Sequence, residues 1–402
     1  MKLKIITILL LLLGFVGCKK LGGPSVELLT LDYDHLVAIK KGIYEKSPEY
    51  LAAYQRLLKE ADIALNRPCY SVIHKESLPP SGDKKDYMSL ATYWWPDPEQ
   101  PDGLPYIRKD GYRNPEGNTR RFDDRSSLNM VNDVTTLTLA WFHSNNQEYS
   151  RKAVEMLDVW FLQAETSMNP NLEFGQSIPG KVDGRGVGII DTRNYIKIID
   201  AVKLLERGQF WNQRKTKKLR QWFSSYAEWL QQSGHGKDEQ AHENNHGTWY
   251  DVQLACYADF IGDTDLAREV ISRSAFSRID RQIDSQGRQE LELARTRAYR
   301  YSVMNLHAYA LLAKMGEKYG INLWEYQSQD EGSLKKACDF IFSYMDHFED
   351  WPYQQITEVE WSSLIPLASE CSRKFNDPIY DAYLQRLENK VKPTDRLIIT
   401  KL

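Results

Sequence analysis

The sequence predicts an all-α protein in which helical hairpins pack around a central axis as an incomplete (α/α) toroid, in a single domain. Apolar residues recur three and four positions apart, and few convincing alternating strands interrupt them. No fixed-period repeat is present, which disfavours a solenoid and leaves a two-layer helical array as the alternative. The helical pattern begins with Tyr50, Leu51, Tyr54, Leu57, Leu58 and Ala61 and returns in residues 126–144, 148–165, 192–206, 211–232, 245–260, 299–316, 333–348, 360–374 and 378–389.

The N-terminus is typical of an export signal. Lys2 and Lys4 precede an apolar run that ends at Phe15 and is too short to span a membrane as a mature helix. Small residues precede Cys18, as in a bacterial lipoprotein signal, and an ordinary secretory signal with an incidental cysteine is the alternative. We expect residues 1–18 to be a lipoprotein signal peptide, with Cys18 lipidated and anchored to a membrane on its periplasmic face.

The remaining chain is predicted to form a short tether and one large domain. Residues 19–30 include two adjacent glycines and a proline, which suits a connection between lipid and body. Residues 31–402 would form the toroid. Within it, residues 75–125 break the helical pattern with many prolines and glycines and the stretch Tyr93-Trp94-Trp95-Pro96. We interpret this long segment as an aromatic lid or cleft wall rather than a surface decoration.

Composition points to carbohydrate and away from nucleic acid. Aromatic residues make up 12% of the chain, and the apolar faces of pyranose rings stack on aromatic planes. A net charge of −3 gives no chain-wide basic field, although a local basic groove remains compatible with it. No CxxC pair is present, so we expect no metal, no cofactor and no dense disulfide framework. The expected state is a buried thiol at Cys69, Cys256, Cys338 and Cys371.

Two polar segments are candidates for chemistry. Glu243 to Tyr250 brings two amides, an imidazole and two aromatics to the start of an apolar helix, although Asn and His there can simply cap it. Residues 290–302 place arginines and tyrosines at the start of another helix, where a solvated charge cluster is the plain alternative. If that helix has begun by Arg297, then Arg297, Tyr301 and Asn305 share one face.

Together the two segments fit the elimination of a 4-linked uronide. That reaction needs a group that neutralises the C6 carboxylate, a base for the C5 proton and an acid for the departing O4. Amide and guanidinium donors can hold the carboxylate. A tyrosine can transfer protons, provided that a neighbouring cation lowers its pKa. The candidate catalytic residues, which need no metal, are Asn245, His246, Arg295 and Tyr301.

The chain resembles the alginate lyase superfamily, which includes polysaccharide lyase family 5 and a neighbouring family of the Bacteroides type. The resemblance rests on Asn244-Asn245-His246 with its aromatic pair and on Glu292-Leu293-Ala294-Arg295 leading into a tyrosine. Two glycine-containing stretches, residues 176–180 and 183–191, match in character. With the loop near Tyr93, the similarity extends over roughly residues 85–315.

The resemblance implies roles for individual residues. Asn245 and Arg295 would bind and neutralise the carboxylate, and His246 would act as a base or stabilise the tyrosine. Tyr301 would be the acid and, in syn elimination from mannuronate or glucuronate, also the base. The spacing leaves the register open, so that Tyr299 could replace Tyr301 and Arg297 could replace Arg295. The expected substrate-binding residues are Tyr93, Trp94, Asn244, Trp249, Arg297, Tyr299, Gln176 and Arg185.

The sequence therefore predicts a lyase that acts on an acidic polysaccharide. The expected polymer is alginate, above all mannuronate-rich alginate. Glucuronan is the alternative polymer. Two other functions are possible on the same fold. A glycoside hydrolase would need two carboxylates that flank the scissile bond, whereas a non-catalytic glycan-binding lipoprotein would need no catalytic residues. The carboxylates available for a hydrolase are Glu243, Asp251, Asp123 and Asp124.

Overall fold

A computed structural model of the protein describes residues 25–392 and 395–400, and these form mainly α-helices. The predicted helical patterns all contain helices, although their ends shift. The pattern at 148–165, for example, is α-helical only to Leu157 and then continues as a π-turn from Asp158 to Leu162. The helices are α1 (Tyr33–Tyr44), α2 (Pro48–Leu65), α3 (Asp124–Ser144), α4 (Gln147–Leu157), α5 (Tyr195–Leu205), α6 (Gln213–Gln232), α7 (Gly234–Ala241), α8 (Asn245–Ile261), α9 (Thr264–Ser274), α10 (Asp280–Gln282), α11 (Glu290–Leu293), α12 (Ala298–Tyr319), α13 (Leu334–Ser343), α14 (Ile365–Lys374), α15 (Pro378–Glu388) and α16 (Leu397–Thr400).

The helices pack in two layers, as an α/α toroid requires. The inner helices α3, α5, α8, α12 and α14 follow one another by contact. Outer helices cover them: α2 and α4 lie on α3, α6 and α9 on α8, α13 on α12, and α15 on α14. The sequence explains the division, because α8 is buried along nearly its whole length whereas α6 buries one face only. The predicted all-α toroid is confirmed.

The segment between α2 and α3 is ordered by two short strand pairs. β1 (Met88–Leu90) runs parallel to β4 (Phe174–Ser177), and β2 (Trp94–Trp95) pairs antiparallel with β3 (Ile107–Arg108). A small apolar cluster separate from the main core holds these strands. It consists of Leu90, Ala91, Tyr106, Phe122 and Ile178.

The predicted N-terminal boundaries fall partly outside the described residues. The signal peptide, Cys18 and the first residues of the tether lie outside the described residues. The end of the predicted tether instead packs on the body: Leu28 and Leu29 are buried, and the backbone amides of Leu29 and Thr30 donate to Asp200 at 2.9 and 2.6 Å. Apolar side chains and a buried carboxylate partner therefore make these residues part of the domain. Among the helices of the described residues, none has the length and apolarity needed to cross a membrane.

The cysteines of the domain are free thiols. Cys256, Cys338 and Cys371 are buried, as predicted, whereas Cys69 is only half-buried. Burial raises the pKa of Cys256, so this thiol stays protonated.

Candidate active site

A cleft of about 470 Å³ collects residues from both predicted segments and from the loop before α3. Asn245 and His246 line it together with Arg295 and Tyr301. Asp124 and Asp191 are the acidic residues among its lining, and arginines outnumber them, so a local basic groove exists in a chain of net negative charge. The arginines are Arg108, Arg113, Arg125, Arg185, Arg193, Arg295 and Arg300.

The start of α8 presents the Asn-His pair. Asn244 is the N-cap, and its side-chain oxygen accepts from the backbone amide of His246 at 3.0 Å. Gly247 follows because a Cβ there would lie 2.1 Å from the carbonyl oxygen of His242. The cap predicted from sequence therefore exists, and it places Asn244, Asn245 and His246 on the cleft wall.

His246 is oriented by a buried carboxylate that the sequence reasoning missed. Its Nδ1 lies 2.7 Å from Oε1 of Glu239, which is fully buried at the end of α7. A carboxylate acceptor fixes Nδ1 as the protonated nitrogen, which leaves Nε2 as the free acceptor of the ring. Glu239 precedes His246 by only seven residues, but nothing in the spacing marked it as a partner.

Asn245 is held by a second missed carboxylate. Its amide nitrogen donates to both carboxylate oxygens of Glu292 at 2.9 Å, and its backbone amide donates at 2.6 Å. Burial raises the pKa of Glu292, although the hydrogen bonds from Asn245 oppose the rise. A substrate carboxylate must therefore compete with Glu292 for an amide N–H, and protonation of Glu292 would favour the substrate.

Arg295 and Tyr301 form the other half of the site. Nη2 of Arg295 donates to the Tyr301 hydroxyl at 3.1 Å, and its guanidinium carbon lies 4.0 Å from the centre of that ring. The Tyr301 hydroxyl also lies 2.6 Å from the hydroxyl of Tyr93. Nη2 of Arg295 donates in addition to Asp110 at 2.8 Å. Tyr93 and Asp110 both belong to the segment before α3, so this segment forms a wall over the Arg-Tyr pair.

The pKa of the Tyr301 phenol differs from the expectation based on the sequence. Burial raises its pKa, the adjacent Tyr93 raises it further, and Arg295 only opposes the rise. The expectation of a pKa lowered by the neighbouring cation is therefore wrong for the substrate-free protein. The pKa of the Asp110 carboxyl is lowered instead. Burial alone would raise this pKa, but the hydrogen bonds and the charge of Arg295 outweigh burial.

Gln176 and Arg185 also line the cleft. Gln176 has a φ of +51°, a left-handed conformation that is strained for a residue with a side chain. Its amide nitrogen donates to Asp191 at 2.9 Å, and Arg185 donates to its side-chain and backbone oxygens at 3.1 and 3.0 Å. These bonds hold Gln176 in its strained conformation within β4 and place a polar pair on the lining of the cleft.

Three predicted substrate-binding residues lie outside this cleft. Arg297 donates to the carbonyl oxygen of Gly111 behind the site. Tyr299 is buried and donates to the carbonyl oxygen of Ile341 at 3.1 Å, so it cannot replace Tyr301. Trp249 donates to the carbonyl oxygen of Met304 at 3.2 Å and lines a neighbouring cavity together with Tyr299. Residues two positions apart on a helix point in different directions, which separates Tyr299 from Tyr301. Trp94 does line the cleft, with Nζ of Lys181 4.6 Å from its ring.

The carboxylates considered for a hydrolase do not converge. Glu243 is exposed and pairs with Arg281 at 2.9 Å. Asp251 is buried under Arg278 at 2.9 Å, and Asp123 is buried beside Lys75 at 3.0 Å. Only Asp124 of this set reaches the cleft. No group of three or more side chains suited to hold a metal ion occurs within the described part of the chain.

Comparison with known proteins supports the geometry. The alginate lyase family model matches residues 71–351, which is most of the chain. The chain belongs to the alginate lyase family. An alginate lyase from Bacteroides ovatus is 38% identical and superposes with a TM-score of 0.89, covering 94% of this chain and 100% of its own. The predicted recognition and the predicted polysaccharide lyase are thereby confirmed.

More distant lyases share the fold alone. A variant of alginate lyase A1-III complexed with a tetrasaccharide has a TM-score of 0.54 at 13% identity, covering 88% of this chain and 96% of its own. The A1-III enzyme from Sphingomonas species A1 gives 0.52 at 12%, covering 88% and 96%. No curated protein sequence matches the chain significantly.

Proposed function

We propose that this lyase cleaves alginate, with a preference for mannuronate-rich chains, and that Asn245, His246, Arg295 and Tyr301 carry out the reaction. The observation that carries the proposal is the Tyr301 hydroxyl, hydrogen-bonded to Arg295 in a cleft lined by arginines. A polyanionic chain is drawn to such a cleft, and its C6 carboxylate finds guanidinium and amide donors there. The relative from Bacteroides ovatus is named an alginate lyase, which supports the same substrate.

In the proposed reaction Tyr301 moves both protons. Tyr301 reacts as its phenolate: its oxygen accepts the C5 proton and becomes a phenol, the C5–H electron pair becomes the C4–C5 double bond, and the C4–O4 bond breaks with its electron pair going to O4. The phenol then returns the proton to O4, so atoms and charge balance. Arg295 and Asn245 stabilise the negative charge that grows on the carboxylate at the transition state. His246, fixed by Glu239, orients the sugar and stabilises the phenolate.

The test is ultraviolet absorbance during digestion. The product double bond is conjugated with the carboxylate, so absorbance should rise with polymannuronate and less with polyguluronate. Glucuronan and polygalacturonate complete the panel, and a preference for glucuronan would move the substrate to the alternative polymer. No rise with any of these polymers would contradict the lyase assignment of the cleft, provided that the protein is folded by circular dichroism.

We also propose that the protein is an exported lipoprotein held at a membrane through Cys18. The support is the short apolar run and the small residues before that cysteine. Labelling with a fatty acid in a bacterial host should mark the full chain and should be lost in Cys18→Ser. An unlabelled wild-type chain recovered in the periplasmic fraction would favour an ordinary secretory signal.

A further inference from the structure

A second cavity of about 500 Å³ adjoins the active-site cleft. The two spaces share Arg193, Asn194, Arg300 and Met304 in their linings, so they meet along these side chains. Pockets that bind small molecules have volumes of roughly 300–1,000 Å³, and this cavity falls in that range. A chain lying in the cleft past Tyr301 therefore has space to continue into a second site.

Lys197 lines this cavity, and its side chain has no ion-pair partner among the described residues. Its side chain lines the cavity and is exposed to solvent there, and the surrounding protein lowers the pKa of its ammonium by partial desolvation. Within residues 25–392 and 395–400 it forms no salt bridge, and the charges that shift its pKa further are the cations Arg193 and Arg396. A lysine that lines a cavity without a carboxylate partner is available to bind a negatively charged group of a ligand.

Two arginines connect Lys197 to the cleft. Arg300 is exposed to both spaces and forms no salt bridge within the described residues. Arg193 donates to the carbonyl oxygen of Ile190 at 3.0 Å and also borders both spaces. Arg295, Arg300, Arg193 and Lys197 thus provide cations from the reaction centre into the second cavity. A polymer with one carboxylate on every sugar matches such a series.

The walls beside these cations suit a sugar ring. Trp249 and Tyr299 form this wall with Val303 and Leu367; all four are largely buried, so they give the cavity an apolar wall that matches the apolar face of a sugar ring. These are the two aromatic residues that the sequence marked for substrate binding and that the first cleft leaves out.

The opposite side of the cavity limits how far an anionic chain can extend. Glu358 and Glu360 are exposed there, on the loop before α14, and Glu370 follows on α14. Leu29 and Thr30 also line the cavity, and Lys314 fixes that segment by donating to the carbonyl oxygens of Leu29 and Leu31 at 2.8 and 3.2 Å. Carboxylates and the anchored N-terminal segment disfavour a longer anion beyond the cationic side.

We propose that the second cavity binds a further uronate residue of the polymer being cleaved, and that Lys197 binds its carboxylate. This proposal rests on the proposed function, because it assumes a uronan in the first cleft. In this proposal Lys197 increases the affinity for the polymer and determines which oligomer length is cleaved best. Tyr301 remains the residue that transfers protons.

The experiment measures kcat/KM for mannuronate oligomers of increasing length with wild type and with Lys197→Met. Charged hydrogen bonds contribute about 1.5–3 kcal/mol, so we expect a loss of about tenfold to a hundredfold for oligomers long enough to reach the cavity. The shortest cleavable oligomer should be affected least. Lys197→Arg should retain most of the activity. Lys218→Met is the matched control, since Lys218 is an exposed lysine on α6, away from both spaces.

A second measurement does not depend on turnover. In a Tyr301→Phe background, oligomer binding followed by tryptophan fluorescence should weaken about tenfold with Lys197→Met, for long oligomers only. An equal effect at every length, or none, would overturn the second subsite. Failure of wild type to cleave any uronan would overturn the proposed function instead, and the binding series would still decide the role of Lys197.

Discussion

The two halves of the active site are held in different ways. On α8, Asn245 and His246 are fixed by the fully buried carboxylates Glu292 and Glu239, inside the packed toroid. Arg295 and Tyr301 are fixed instead by Asp110, whose side chain is 22% exposed, and by Tyr93, which is half-buried. The first half is therefore rigid by burial. The second depends on the segment between α2 and α3 lying against α12.

The largest effect should come from removing the proton carrier of the second half. Tyr301→Phe keeps the buried ring but loses the hydroxyl, so kcat should fall by about 10²- to 10⁴-fold with little change in oligomer binding. Tyr299→Phe is the control, because its hydroxyl bonds to Ile341 outside the cleft, and it should keep near wild-type kcat. Equal losses in both variants would mean that the tyrosines act through stability.

The pH dependence of kcat/KM tests which half of the site accepts the C5 proton. Because the pKa of Tyr301 is raised, its phenol is almost fully protonated at neutral pH, and its basic form grows about tenfold per pH unit. If Tyr301 is the base, kcat/KM should rise with a slope near one between about pH 7 and 9. A kcat/KM that does not change over this range would contradict Tyr301 as the base.

The buried half is tested by Glu239→Gln. The amide keeps the shape but can donate as well as accept, so it no longer fixes which ring nitrogen of His246 carries the hydrogen, and kcat should fall by roughly tenfold to a hundredfold. The apparent KM should change little, since Glu239 itself is buried away from the substrate. Glu243→Gln, at an exposed neighbouring position, is the matched control. An unchanged kcat in Glu239→Gln would remove His246 from the mechanism.

The smallest effect is expected at the half-buried ion pair between Asp110 and Arg295. Asp110→Asn weakens the two hydrogen bonds that orient Arg295 and also the bond to Thr296, so kcat/KM should fall by about tenfold, mainly through KM. Glu99→Gln, on the same segment and exposed, should have no effect. Higher activity in Asp110→Asn would show that Asp110 competes with the substrate for Arg295.

The sequence by itself determined the fold class and the centre of the site. Helical periodicity follows from local spacing, and Asn244 caps α8 through a bond to a residue two positions away, so both can be read along the chain. The Asn-His pair, the Arg-Tyr pair and the aromatic stretch at Tyr93 were found in this way. The residues proposed for direct chemical roles have recognisable types and spacings.

Only the tertiary structure decided which partners tune these groups. Asp110 meets Arg295 across 185 residues, and Tyr93 meets Tyr301 across 208, so no local pattern marks either pair. The direction of the Tyr301 pKa depends on burial, which a neighbouring arginine in the sequence does not reveal. Trp249 and Tyr299 left the first cleft because helix packing sets the direction of each side chain. For the same reason Lys197 became a candidate ligand only because the packing of α5 and α12 places it and Arg300 in the lining of one cavity.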